Sequence, residues 1–188
     1  MPSPEHRRQV VHLLETGSLM RLAERVRRRA ARFAKRDATQ ARSVLQVRDE
    51  LIQHLYLAAS PRGWCCGWSD GACRKTGAQR RAGIGVILMD SDGQILQRLG
   101  RETGDMCAFD AELCAVAELI ALAVEMGKSR LMSYTDNAGL VQLWHAQRED
   151  LRLAEIRRLS RQLERFDMRA VPRLHNQPAN ALARQALA

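Results

Sequence analysis

Up to about residue 60 the apolar positions recur three and four residues apart, and no stretch alternates as a strand would. Pro4 can open a first helix that Gly17 ends. Ser18 is placed to cap a second, carrying Leu22, Val26 and Phe33. A third runs from about Thr39, with Val44, Leu45, Val47, Leu51, Ile52, Leu55 and Tyr56 along it. Ser60-Pro61-Arg62-Gly63 breaks the rhythm. Beyond it the period changes. Trp64–Cys73 and Ile84–Met89 predict strands, Asp90-Ser91-Asp92-Gly93 a turn, and Gln94–Leu99 a third strand. Asp110–Met126 is a strongly periodic helix ended by Gly127. Leu131–Thr135 predicts a strand, Asn137–His145 and Asp150–Phe166 helices, and Met168–Arg173 a last strand. Pro178–Leu187 follows as a last helix, with proline in its first turn. The order βββαβααβα predicts an α/β fold: a mixed sheet, its first three strands antiparallel, with helices on its faces.

Charge divides the chain at the same place. Residues 1–60 hold 12 Lys+Arg and six Asp+Glu, and residues 61–188 hold 18 and 15. We therefore expect a basic helical N-terminal segment, 1–60, joined to an α/β domain, 61–188. Arg27-Arg28-Arg29 is read either as a solvated helix face or as a nucleic-acid contact. The net charge of +9 favours a polyanionic partner, nucleic acid before membrane. The longest apolar stretches, Gly83–Met89 and Leu119–Val124, are too short to span a bilayer, and the N-terminus carries charge where a signal peptide is apolar. A cytoplasmic location is the expectation. The five cysteines are odd in number and form no CxxC pair, so reduced thiols are expected.

Three acids sit where acids should not. Asp70 shares strand parity with Cys66, Trp68 and Ala72, and so points with bulky apolar groups. Glu112 precedes Val116 and Ile120 at four-residue steps, on the stripe that should face the sheet. Asp136 ends the fourth strand with the parity of Met132 and Tyr134. Each has a plain structural explanation: a turn for Asp70, dipole complementation for Glu112, a helix cap for Asp136. Together they are different, because buried like charges repel unless a cation neutralises them. Mg²⁺ or Mn²⁺, with oxygen ligands, is the simplest such cation.

Five short motifs follow one another in a familiar order: Ser69-Asp70-Gly71-Ala72; AGIGVILMDSDGQIL at Ala82–Leu96; Ala111-Glu112-Leu113 with Ala115; Tyr134-Thr135-Asp136; and VPRLHNQPANALARQAL at Val171–Leu187. In these the chain from Trp64 onward, about two-thirds of its length, resembles the ribonuclease H family, particularly its shorter plant-like and bacterial members. The resemblance implies a five-stranded mixed sheet and two-metal hydrolysis of the RNA strand in an RNA–DNA hybrid, leaving 5′-phosphate and 3′-hydroxyl ends. It assigns Asp70, Glu112 and Asp136 as metal ligands for two Mg²⁺ or Mn²⁺ ions, with Asp70 bridging. The family's fourth acid falls at Asn180.

The departures set the alternatives. Asn180 carries no charge, so a catalytically weakened nucleic-acid-binding module on the same fold competes with a working endonuclease. Ala108, Phe109 and Asp110 stand where many members carry asparagines that read the RNA 2′-hydroxyl. Asn176 matches a family asparagine by spacing, whereas His175 is not cleanly equivalent to the family's loop histidine; it is read as a product-release or proton-transfer group or as a plain surface residue. Arg74, Lys75, Arg80 and Arg81 follow Asp70 in what reads as a polar loop, placed either to touch phosphates or merely solvated. Proofreading exonucleases of the superfamily carry Asp-x-Glu on the first strand; Asp70-Gly71-Ala72 lacks it.

Overall fold

The computed structural model describes residues 4–15, 17–35, 37–76, 79–146 and 150–188. The chain divides into two compact units, Met1–Pro61 and Arg62–Ala188. The first holds three mutually packed helices: α1 (Pro4–Glu15), α2 (Ser18–Phe33) and α3 (Ala38–Ala59). Leu19, Ala23 and Ala30 form the buried stripe of α2. Ser18 does not cap this helix. It is the first helical residue, and Gly17 precedes it at φ 67, a left-handed conformation open to a residue without Cβ. Asp37 caps α3, accepting from the N–H groups of Thr39 and Gln40.

The second unit is built on one sheet. Its strands are β1 (Cys65–Thr76), β2 (Gln79–Met89), β3 (Ile95–Gly104), β4 (Arg130–Thr135) and β5 (Arg165–Ala170), in the order β3-β2-β1-β4-β5. The β1–β2 and β2–β3 pairs are antiparallel; β4 runs parallel to both β1 and β5. This is the mixed sheet, antiparallel in its first three strands, that the element order predicts. The helices are α4 (Ala108–Glu125), α5 (Ala138–His145), α6 (Ala154–Ser160) and α7 (Gln177–Gln185). Val116, Leu119, Ile120 and Ala123 of α4 are fully buried in a core shared with Val86, Leu88, Leu131 and Met168 of the strands. The helix stops at Gly127, φ 67, where Lys128 N–H bonds to Ala123 C=O and Gly127 N–H to Val124 C=O. On the other face of the sheet α7 lies against β2 so closely that a Cβ at Gly85 would sit 2.0 Å from the Ala179 carbonyl oxygen.

Three sequence expectations are corrected. Arg74–Arg81 reads as a loop in the sequence, yet Arg74 pairs with Arg81 and Lys75 with Arg80 in a ribbon continuing β1 and β2. The helix expected over Asp150–Phe166 is a 3₁₀ turn (Leu151–Leu153) and the short α6. The reason is Phe166: it stands opposite Leu131 in the sheet and packs edge-on against Trp144, ring centres 5.0 Å apart. The last strand therefore starts early, and it ends before Arg173 because Pro172 has no N–H for a ladder. All five cysteines are free, and among the described residues no helix is long and apolar enough to cross a membrane.

Candidate active site

Register alone brings the first two acids together. Trp68 of β1 pairs with Tyr134 of the parallel β4, and their rings stack at 5.4 Å. Two residues further along each chain, on the same face by strand parity, come Asp70 and Asp136. Asp136 does not cap α5, because Asn137 does, accepting from Leu140 N–H at 3.0 Å. Its carboxylate is thus available to the site.

Glu112 arrives from the opposite face. Asp70 pairs with Gly85, the glycine under α7, so its side chain lies on the α7 side of the sheet. The next residue, Gly71, faces α4, and a Cβ there would stand 2.3 Å from the Glu112 backbone nitrogen. The first turn of α4 therefore rests on bare β1 backbone, which lets the Glu112 carboxylate come round to the two aspartates. One carboxylate oxygen from each of Asp70, Glu112 and Asp136 lies within 4.8 Å of the others.

Two asparagines complete the cluster. The Asn180 side-chain amide on α7 donates to Asp70 Oδ2 at 3.0 Å. The Asn176 amide donates to Asp136 Oδ1 at 2.7 Å and to the Ser69 carbonyl at 3.0 Å, with Asp70 Oδ1 at 3.4 Å. Arg173 reaches Asp136 Oδ2 at 3.3 Å from the solvent side.

Electrostatically the cluster is under-neutralised. Burial, then repulsion from Glu112 and Asp136, pushes the Asp70 carboxyl up to about 8. Burial and repulsion from Asp136 push Glu112 up to about 7, against the pull of the Gly71 N–H and the Thr135 hydroxyl. Glu112 Oε2 is buried with no hydrogen-bond partner. An all-oxygen set of crowded carboxylates with an orphaned acceptor fits a hard divalent cation.

Beside the carboxylates lies a cleft of about 540 Å³, whose lining includes Arg74, Lys75, Arg173, Asn180 and Arg184. Of the four basic residues expected after Asp70, Arg74 and Lys75 border this cleft. Arg81 forks onto Glu102, both bonds 2.7 Å, and Arg80 stands 3.5 Å from Asp105. His175 and Asn176, which the sequence also offers as nucleic-acid contacts, are buried at 1% and 0% exposure, so His175 is no plain surface residue; the turn at Pro172 folds both inward, and Asn176 holds carboxylates. Sequence reasoning missed Arg173 and Arg184. Arg184 lies one helical turn after Asn180, a spacing that could have flagged it; Arg173 needed the turn, which no local pattern announces. Phe109, in the stretch where many family members read RNA, packs against the core with the Arg152 guanidinium 5.3 Å from its ring centre.

The chain matches a family model described as Reverse transcriptase-like over residues 69–186, a span enclosing all three carboxylates and Asn180. No curated protein matches it. Among solved structures, ribonuclease H1 of the halophilic archaeon Halobacterium salinarum NRC-1 is 27% identical with a TM-score of 0.59, covering 66% of this chain and 98% of its own. An N-terminal RNase H domain from Mycobacterium tuberculosis, solved as a maltose-binding-protein fusion, is 22% identical, with a TM-score of 0.60 and coverage of 66% and 94%. LC11 ribonuclease H1 in complex with an RNA/DNA hybrid is 18% identical, with a TM-score of 0.56 and coverage of 66% and 99%.

Proposed function

The chain belongs to the Reverse transcriptase-like family and carries a ribonuclease H-like domain, and from that premise we propose that it is an endonuclease that cuts the RNA strand of RNA–DNA hybrids. The observation that carries this reading is the convergence of Asp70, Glu112 and Asp136, from three separate elements, within 4.8 Å. The hybrid bound by the LC11 relative supplies the substrate class. Asp70, Glu112 and Asp136, with the Asn180 carbonyl oxygen, would hold Mg²⁺ or Mn²⁺, two ions when substrate is present. Such ions would lower the pKa of the attacking water and neutralise charge on the phosphoryl and leaving oxygens. Water adds to phosphorus, the bond to the 3′ oxygen breaks, and the products are a 5′-phosphate and a 3′-hydroxyl.

The chain's own residues prepare this. Asn176 fixes the aspartate rotamers from behind, so Asp70 and Asp136 present their remaining lone pairs together. Arg74, Lys75, Arg173 and Arg184 line the adjoining cleft and meet the phosphates flanking the scissile bond. Arg173, tied to Asp136 across 3.3 Å, tempers the cluster's negative charge.

Asn180 favours a second reading, a binding module with weakened catalysis, because an amide donor on Asp70 stands where a charged ligand would be. A labelled hybrid incubated with Mg²⁺, Mn²⁺ or chelator, beside an Asp70→Asn variant, decides between them. Metal-dependent cleavage lost in the variant supports the endonuclease; tight binding without cleavage supports the module.

A further inference from the structure

Outside the family match, α2 carries seven charged side chains, six of them arginine. Arg21, Arg25, Arg28 and Arg32 recur at four, three and four residues, which places them on one stripe, and all four are exposed. The opposite stripe, Leu19, Ala23 and Ala30, is buried. Glu24 is the helix's one acid, and its carboxylate is taken by Arg27 at 2.7 Å and Arg28 at 2.8 Å. Arg25 and Arg32 have no carboxylate partner among the described residues, and Arg21 donates only to the Ser18 hydroxyl at 3.3 Å.

We propose that the arginine row of α2 is a second nucleic-acid docking surface, independent of the carboxylate site, which grips the phosphate backbone of a duplex without reading its sequence. The row spans about 16 Å at ~1.5 Å per residue. One duplex strand presents a phosphate every ~3.4 Å of axis, so the row faces about five of them. Its composition is arginine throughout, whose planar fork suits phosphate oxygens two at a time. A bilayer is the poorer partner. Leu19, Ala23 and Ala30 are buried, and the large apolar side chains that α2 leaves exposed among the described residues, Met20 and Leu22, sit only at its first turns, short of a face to lay into lipid.

The test uses the full chain in chelator, so that it stands whether or not the protein cleaves. Wild type, R21E/R25E/R32E and its milder counterpart R21Q/R25Q/R32Q bind a 20-base-pair hybrid and the matching DNA duplex across a salt series. A control, R98E/R161E/R165E, changes the net charge equally at exposed positions elsewhere. With three phosphates no longer neutralised, the slope of log K against log salt falls by about 2.7, at ~0.9 per phosphate. The control keeps its slope, and both duplexes respond alike. Row variants that match the control in slope and affinity overturn the proposal, and the glutamine set reads the same result should the glutamate set misfold. Loss of binding to anionic lipid vesicles with duplex binding unchanged also overturns it, in favour of a membrane.

Discussion

Asn180 on α7 donates its side-chain N–H to Asp70 Oδ2 on β1 at 3.0 Å, tying α7 to the strand next to β2, whose Gly85 it already covers. The bond satisfies the most buried carboxylate of the cluster with a neutral donor. It lowers the charge the site can offer a cation while stabilising it without one. Asn180→Asp reverses both effects. Cleavage is expected to rise, most at low Mg²⁺, and the wild type to do relatively better with Mn²⁺, because Mg²⁺ demands near-ideal octahedral geometry. Hybrid cleavage against Mg²⁺ concentration for both proteins measures this. A rate and metal midpoint unmoved by the substitution would show that Asn180 is not a ligand.

Glu112→Gln separates charge from packing. Glu112 sits over Gly71 with Oε2 unpartnered, so its carboxylate contributes repulsion rather than a hydrogen bond at that atom. The amide is nearly isosteric and uncharged. Metal-dependent cleavage is expected to vanish, while the melting temperature in chelator holds or rises. A clear drop in melting temperature would mean that Glu112 is structural.

The same crowding sets a pH dependence. Asp70 is raised from its ordinary 3.8 to about 8, and Glu112 from 4.5 to about 7. Between roughly pH 4 and pH 8 the folded protein therefore binds more protons than the unfolded chain, and stability falls as pH rises through that window. In chelator the melting temperature should decline from pH 5 to pH 8; Mg²⁺ should recover it at pH 8, and Asp70→Asn should flatten the slope. A melting temperature that climbs over this range would contradict the buried-carboxylate description.

The parts of this site legible in the sequence are those that parity and periodicity govern. Asp70 and Asp136 betray themselves by pointing with Trp68 and Tyr134, and Glu112 by preceding Val116 and Ile120 on a buried stripe. What parity cannot carry is the meeting of opposite faces, which depends on the bare backbone of Gly71, where a Cβ would stand 2.3 Å from Glu112 N. The inward turn after Pro172 is hidden for a similar reason. Val171, Pro172 and Arg173 look like a strand's end, and nothing local says that His175 and Asn176 will be buried beneath it. Leu163 misleads in the other direction: it continues the spacing of Leu153 and Ile156 and is buried with them, but across a turn rather than along a helix.

Gly71→Ala tests the close approach itself. The added methyl meets Glu112 N, Ala111 C and Glu112 Cα, all backbone and all within 2.8 Å, so the first turn of α4 must move. Overpacking of this kind costs about 1–3 kcal/mol. Cleavage should fall further than stability, because the shift displaces Glu112 from the aspartates while the rest of α4 stays packed in the core. Thermal melts and cleavage at saturating Mg²⁺ separate the two. Full activity with unchanged stability would refute the close approach.

The basic cleft makes a kinetic prediction of its own. Lys75 and Arg184 border it without touching a carboxylate of the cluster, so under the proposed function their work is ground-state binding of phosphates on either side of the reacting one. Each such solvent-exposed interaction is worth about 1 kcal/mol, or roughly a fivefold rise in KM on substitution by alanine. Because it is made equally in ground and transition states, kcat should stay within about twofold. Arg173 differs. It reaches the same cleft but also holds Asp136 at 3.3 Å, so Arg173→Ala should raise KM and shift the Mg²⁺ dependence together. Initial rates against hybrid concentration, at low and saturating Mg²⁺, distinguish the two behaviours. If Lys75→Ala and Arg184→Ala leave KM unmoved, the cleft is solvated surface and the substrate runs elsewhere. If Arg173→Ala behaves like them, its tie to Asp136 has no part in the chemistry.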